Sequence, residues 1–132
     1  MNSGLFYLNV FGAFVIVVML VQVLAAMQQL GLSALAGNRE DLTLSGFAGR
    51  IERALNNSLI ALVMIAPAVL ALHFTGFANA STELAVQIFL VSRIAYVVVY
   101  SLGIPWLRTG VWLVGFLCTA FLYSAALKIP IA

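Results

Sequence analysis

The sequence predicts an all-α integral membrane protein, a bundle of four transmembrane helices forming one domain over residues 1–132. Three observations carry that reading. Of 132 residues, 64% are hydrophobic and 8% charged, against roughly 45–50% and about 25% in soluble domains. The apolar residues fall into blocks of about 20, the length that crosses a hydrocarbon core about 30 Å thick. Those blocks are continuously apolar, whereas barrel strands alternate over about 10 residues. A mean hydropathy of +1.15 excludes a soluble enzyme and a disordered chain. A net charge of +2 is too small for a phosphate-tracking surface, so no nucleic-acid partner is expected. With one cysteine, Cys118, there is no disulfide framework and no thiolate-only metal site.

The first block runs from about Leu5 to Met27. It lacks the basic start of a signal peptide and exceeds the roughly 7–15 residues of a signal core, so it reads as a span and not as a cleaved leader. The stretch 28–49 is the sizeable polar connection and holds Asn38, Arg39, Glu40 and Asp41. The second block runs from about Ile51 to Phe74 with a polar front end, and Pro67 within it reads as a tolerated kink. A turn over residues 75–81 leads to the third block, about Leu84 to Leu102, which Arg93 interrupts. Gly103 and Pro105 mark the turn into the fourth block, about Leu107 to Leu127. Arg39, Arg50, Arg53 and Arg108 flank the first and third connections, while the opposite side has only Lys128. The positive-inside rule then places both termini outside and those two connections in the cytoplasm.

A charged residue inside a span costs roughly 2.5–3.5 kcal/mol on insertion scales and is a functional hypothesis by default. Arg50, Arg53 and Asn57 stand at i, i+3 and i+7 on the second helix and share a face. Arg93, Tyr96 and Tyr100 repeat the spacing on the third helix, and Arg108 and Thr109 open the fourth. All lie toward the cytoplasmic end, where two helix N-termini add positive dipole. The expectation is a cationic, hydroxyl-lined pocket over apolar walls, suited to a small polyanion beside a lipophilic molecule. Plainer readings stand beside it. Arg50 and Arg53 fit snorkelling interfacial anchors, and Arg93 fits a structural partner of Glu52 or of helix-end carbonyls. The tyrosines fit interfacial aromatics, and Thr109 fits a helix cap. Asn9 and Gln22 read as interhelical hydrogen-bond glue. His73 has no second ligand at metal spacing, so no metal site is expected.

On these residues the chain resembles the MAPEG family, the membrane-associated proteins in eicosanoid and glutathione metabolism, in a bacterial-type member. Residues Asn38-Arg-Glu-Asp41 resemble the family's Asn-Pro-Glu-Asp loop segment. The stretch from Arg50 to Asn57 resembles its R-x-x-R-A-x-x-N-x-x-E signature. Arg93 to Tyr100, with Arg108 after the turn, resembles its third-helix R-x-x-[HY]-x-x-x-Y motif and the arginine that follows. The resemblance covers nearly the whole chain. It implies a homotrimer of left-handed four-helix bundles with glutathione as co-substrate, bound between subunits near the cytoplasmic side. It implies that Arg50, Arg53, Asn57, Arg93, Tyr96 and Tyr100 hold glutathione, that Arg108 stands near its sulfur, and that Thr109 takes the place of a serine. A bacterial inner (plasma) membrane location follows from the same resemblance.

The sequence departs from the family at three positions. The signature glutamate, which pairs with the amino group of glutathione, falls at Ile60; the usual proline falls at Val63 and a family histidine at Leu55. The anion-binding half of the site is kept and the cation-binding half is not. The implied function is glutathione transfer to lipophilic electrophiles from the bilayer, with peroxidase activity. The alternative is a non-catalytic membrane scaffold, complex subunit or lipid- or anion-binding protein. A small four-span exporter ranks last, because proton-coupled export of cations wants a carboxylate within a span and the first helix has none.

Overall fold

The computed structural model describes residues 3–38, 40 and 42–131. Arg39 and Asp41, both in the Asn38–Asp41 segment singled out above, lie outside them. The elements are α1 (Ser3–Leu30), a short α2 (Leu32–Ala36), α3 (Gly46–Phe74), α4 (Ala80–Leu102) and α5 (Pro105–Ala126). Four helices, all but α2, are long and apolar enough to cross a membrane. The chain is an all-helical, multi-pass membrane protein.

Each helix outruns its apolar block, because hydrogen bonding, not hydropathy, sets helix ends. α1 continues through Gln28, Gln29 and Leu30 until Gly31, at φ 85°, breaks it. α3 begins at Gly46, before the expected Ile51, and its 29 residues rise about 44 Å at 1.5 Å per residue. The hydrocarbon core is only about 30 Å thick. The surplus lies at the polar front end, which carries Arg50 and Arg53 beyond the apolar stretch of the helix. α4 begins at Ala80, before the expected Leu84, because Asn79 and Thr82 form a capping box. The Thr82 amide donates to Asn79 Oδ1 at 3.0 Å, and the Asn79 amide donates to Thr82 Oγ1 at 2.9 Å.

The polar connection is closed by a side chain. Gln29 Nε2 donates to Ser45 Oγ at 3.1 Å, and the Ser45 amide donates to Gln29 Oε1 at 3.0 Å. This pair ties the end of α1 to the start of α3 across the loop. The turn from α4 to α5 is tighter. The Ile104 amide donates to the Val99 carbonyl at 3.2 Å and the Gly103 amide to Tyr100 at 3.0 Å, a Schellman closure. It needs a left-handed residue at Gly103, φ 79°. Pro105 then opens α5, where its missing N–H costs nothing.

α1 packs on α3 and α4, while α5 packs chiefly on α4 and also on α3. Phe11, Val15 and Val18 form the buried stripe of α1, at i, i+4 and i+7. Phe11 meets Phe89 of α4 edge-on, with centroids 5.1 Å apart. α5 buries only Gly115 and Leu122 and leaves its other face open. In lipid, apolar burial between helices adds little hydrophobic drive, so close packing and polar ties hold the bundle. One such tie runs from Tyr123 Oη to the Met64 carbonyl at 2.5 Å, joining α5 to α3. The hydroxyls of Ser58, Ser92 and Thr119 donate to carbonyls of their own helices, as backbone within a bilayer permits. Asn9 also donates to its own helix, to the Leu5 carbonyl at 2.8 Å. α3 runs unbroken through Pro67.

Candidate functional site

The N-termini of α3 and α5 and the C-terminus of α4 meet at one end of the bundle, because consecutive spans run antiparallel. The residues marked by spacing are therefore brought together. Arg50, half-buried, donates from Nε to the Ser101 carbonyl at 2.9 Å. It caps the negative end of α4 and lies against Gly103. It is tied to a helix terminus and does not snorkel freely.

One turn on, the exposed Arg53 donates from Nε to the Tyr100 hydroxyl at 3.1 Å. Arg108, from the first turn of α5, lies over the Tyr100 ring at 4.4 Å. Tyr100 is thus contacted by two guanidinium groups, and its ring meets Tyr96 edge-on at 5.5 Å. Thr109 stands apart from these contacts. It is exposed, and its hydroxyl donates to the Pro105 carbonyl of its own helix at 3.3 Å.

Arg93 is the deepest member, only 2% exposed. It lies about 14 Å of helix from Leu102, at 1.5 Å per residue. Its guanidinium stacks on the Tyr96 ring at 4.3 Å and donates from Nη2 to Asn57 Oδ1 at 2.7 Å. The alternative of a Glu52 partner is not realised: the bond crosses to Asn57, and Glu52 lies about 200° round α3 from Arg50, on its other side. Nε of Arg93 is buried and has no hydrogen-bond partner. A buried donor without an acceptor costs about 1–3 kcal/mol, so this site is short of acceptors.

Below Arg93, between α3 and α5, lies an apolar cleft of about 360 Å³, within the roughly 300–1,000 Å³ of small-molecule sites. Asn57 and Arg93 border it, Ile60 and Trp112 wall it, and Thr119 and Tyr123 line its far part. Ile60 occupies the position one turn after Asn57 and is 62% exposed. Among the described residues no three of His, Cys, Asp and Glu come together to hold a metal.

Spacing alone missed Gly115. A Cβ there would stand 3.1 Å from Ser92 Oγ and 3.3 Å from Arg93 Cδ, so its lack of a side chain lets α5 close over the arginine. A glycine inside a helix was the available signal, but nothing in the chain named its neighbour. Gly115→Leu is expected to cost about 1–3 kcal/mol by overpacking and to shift Arg93. Thermal unfolding in detergent checks it, and an unchanged midpoint would remove Gly115 from the site.

A model of the MAPEG family matches residues 5–128. No curated protein and no solved structure gives a match. The family match spans the arginine cluster, nearly all of the four long helices and the turn from α4 to α5. The chain belongs to the MAPEG family.

Proposed function

We propose that this protein is a membrane-bound glutathione transferase, with peroxidase activity, that acts on lipophilic electrophiles arriving from the bilayer. The observation that carries the reading is Arg93: a guanidinium buried within a span, with one donor on Asn57 and a second left without a partner. That arrangement suits an anionic ligand. The family includes glutathione transferases, and a small polyanion matches the further guanidinium groups of Arg50, Arg53 and Arg108.

A guanidinium carries five donors. Those of Arg50, Arg53 and Arg93 that protein partners leave free would hold the carboxylates of glutathione, with Asn57 and Tyr96 fixing Arg93 in place. Glutathione supplies a thiol whose ordinary pKa is about 8.5. The charge of Arg108 favours its thiolate, the nucleophile of the reaction. The Tyr100 hydroxyl accepts from Arg53 and keeps its own proton to donate toward sulfur. Thr109 adds a second hydroxyl once it leaves the Pro105 carbonyl. The cleft walled by Ile60 and Trp112 would shelter the apolar electrophile from water.

Arg108→Met tests the assignment. Losing one stabilising group at a developing charge typically costs about 10²–10³ in kcat. Conjugation of glutathione to 1-chloro-2,4-dinitrobenzene should fall by that factor, while S-hexylglutathione binding is largely kept. Unchanged turnover would remove Arg108 from the chemistry.

Ile60 favours a second reading, a non-catalytic MAPEG-fold scaffold or anion-binding subunit, because an isoleucine stands where a carboxylate would face the ligand's amine. Absence of conjugating activity in a protein that still binds anions would support it.

The working form in this reading is a homotrimer in a bacterial plasma membrane, with the arginine cluster on the cytoplasmic side. Maleimide labelling of Gly37→Cys and Lys128→Cys in a Cys118→Ser background checks the orientation. Only Lys128→Cys should react from outside intact cells. Labelling of both positions from outside would refute the topology.

A further inference from the structure

We infer that the thiol this site selects carries no free ammonium group: its α-amine is acylated or absent. The inference rests on the thiol-binding role proposed above and ranks its ligands, with glutathione itself bound less tightly than its amine-free analogues. It follows from the charges around the site. Arg53 and Arg108 flank Tyr100, Arg50 caps α4 beside them, and Arg93 lies deeper on Tyr96. No described carboxylate answers them on this face. Glu52 lies on the other side of α3, Glu83 is in the first turn of α4 at the opposite end of the bundle, and Glu40, exposed in the connection at this end, forms no ion pair with them.

An ammonium is donor-only and needs acceptors. The head of the cleft offers few. Asn57 Oδ1 already receives Arg93 Nη2 at 2.7 Å, so an ammonium sharing that oxygen would lie beside a guanidinium. The Thr119 and Tyr123 hydroxyls donate to the Gly115 and Met64 carbonyls and keep lone pairs that can accept, but they line the far part of the cleft, one and two turns along α5 from Gly115 and away from the arginines. Ile60, largely exposed along the same wall, offers no hydrogen bond. The partnerless Nε of Arg93 shows the same imbalance from the protein's side, a surplus of donors over acceptors. An ammonium here would be desolvated without a counter-charge and repelled by like charges in a low-dielectric setting. Acylating the amine removes the charge and adds a carbonyl acceptor, and the acyl carbon suits the isoleucine wall. Ile60 is then the specificity-determining residue.

Isothermal titration of the detergent-solubilised protein tests this with three thiols: glutathione, N-acetylglutathione, and glutaryl-cysteinylglycine, in which hydrogen replaces the amino group. The wild type should bind both amine-free thiols at least tenfold more tightly than glutathione. Ile60→Glu should reverse the order, and the neutral Ile60→Gln should keep it. If Ile60→Glu does not fold, the wild-type comparison decides alone. Equal or tighter binding of glutathione by the wild type overturns this inference and leaves the thiol-binding role standing. Binding of none of the three overturns both.

Discussion

Asn57→Leu is expected to destabilise the ligand-free protein by about 1.5–3 kcal/mol, the range for a hydrogen bond to a charged group. The substitution removes the acceptor of Arg93 Nη2 and leaves the guanidinium stacked on the Tyr96 ring without that hydrogen bond. Arg93→Met should behave differently. It removes the buried charge itself, and replacing buried ionic groups by apolar ones of similar volume is often neutral or stabilising. The double variant should therefore resemble Arg93→Met alone, because Asn57 has no cation left to satisfy. Reversible unfolding in detergent across this cycle gives the coupling directly. Additive effects would mean that the two side chains do not depend on each other.

Ligand-induced stabilisation is the second large effect. A ligand present at about 100 times its dissociation constant stabilises the folded protein by roughly 2.7 kcal/mol. A thermal-shift series with glutathione and S-hexylglutathione should show that gain in the wild type and lose it in Arg93→Met, whose fold stays intact. Arg108→Met should retain most of the shift with the S-alkyl ligand, which has no thiolate to stabilise. If Arg93→Met keeps the full shift, Arg93 is a structural residue held by Asn57 and Tyr96, and the ligand's carboxylates go elsewhere.

Much of this was legible in the sequence, for a specific reason. Positions i, i+3 and i+7 share a helix face whatever the rest of the fold does. Arg50, Arg53 and Asn57 could therefore be grouped on α3, and Arg93, Tyr96 and Tyr100 on α4, without a structure. Antiparallel hairpins then bring both groups to one end. Contacts between helices were less accessible, because they depend on the rotation and height of one helix against another. The alternative pairing of Arg93 with Glu52 matched charge with charge, yet the structure pairs Arg93 with the neutral Asn57 one helix away. Gly115 escaped for the same reason. Thr109 follows Arg108 directly, and because neighbours in sequence point about 100° apart on a helix, the sequence does not show that in the ligand-free protein its hydroxyl donates to Pro105. Helix ends were misplaced because an apolar run records the thickness of the membrane. The Asn79–Thr82 capping box and the extra turns of α3 record hydrogen bonding instead.

The proposed function requires that the arginine cluster at the shared end of α3, α4 and α5 be an anionic-thiol site anchored by Arg93. Isothermal titration of the wild type and Arg93→Met with glutathione and glutaryl-cysteinylglycine tests it most directly. Saturable binding to the wild type is expected, tighter for glutaryl-cysteinylglycine, with at least a tenfold loss of affinity for both in Arg93→Met. A wild type that takes up neither thiol, or an Arg93→Met protein that binds them as well as the wild type does, would contradict it.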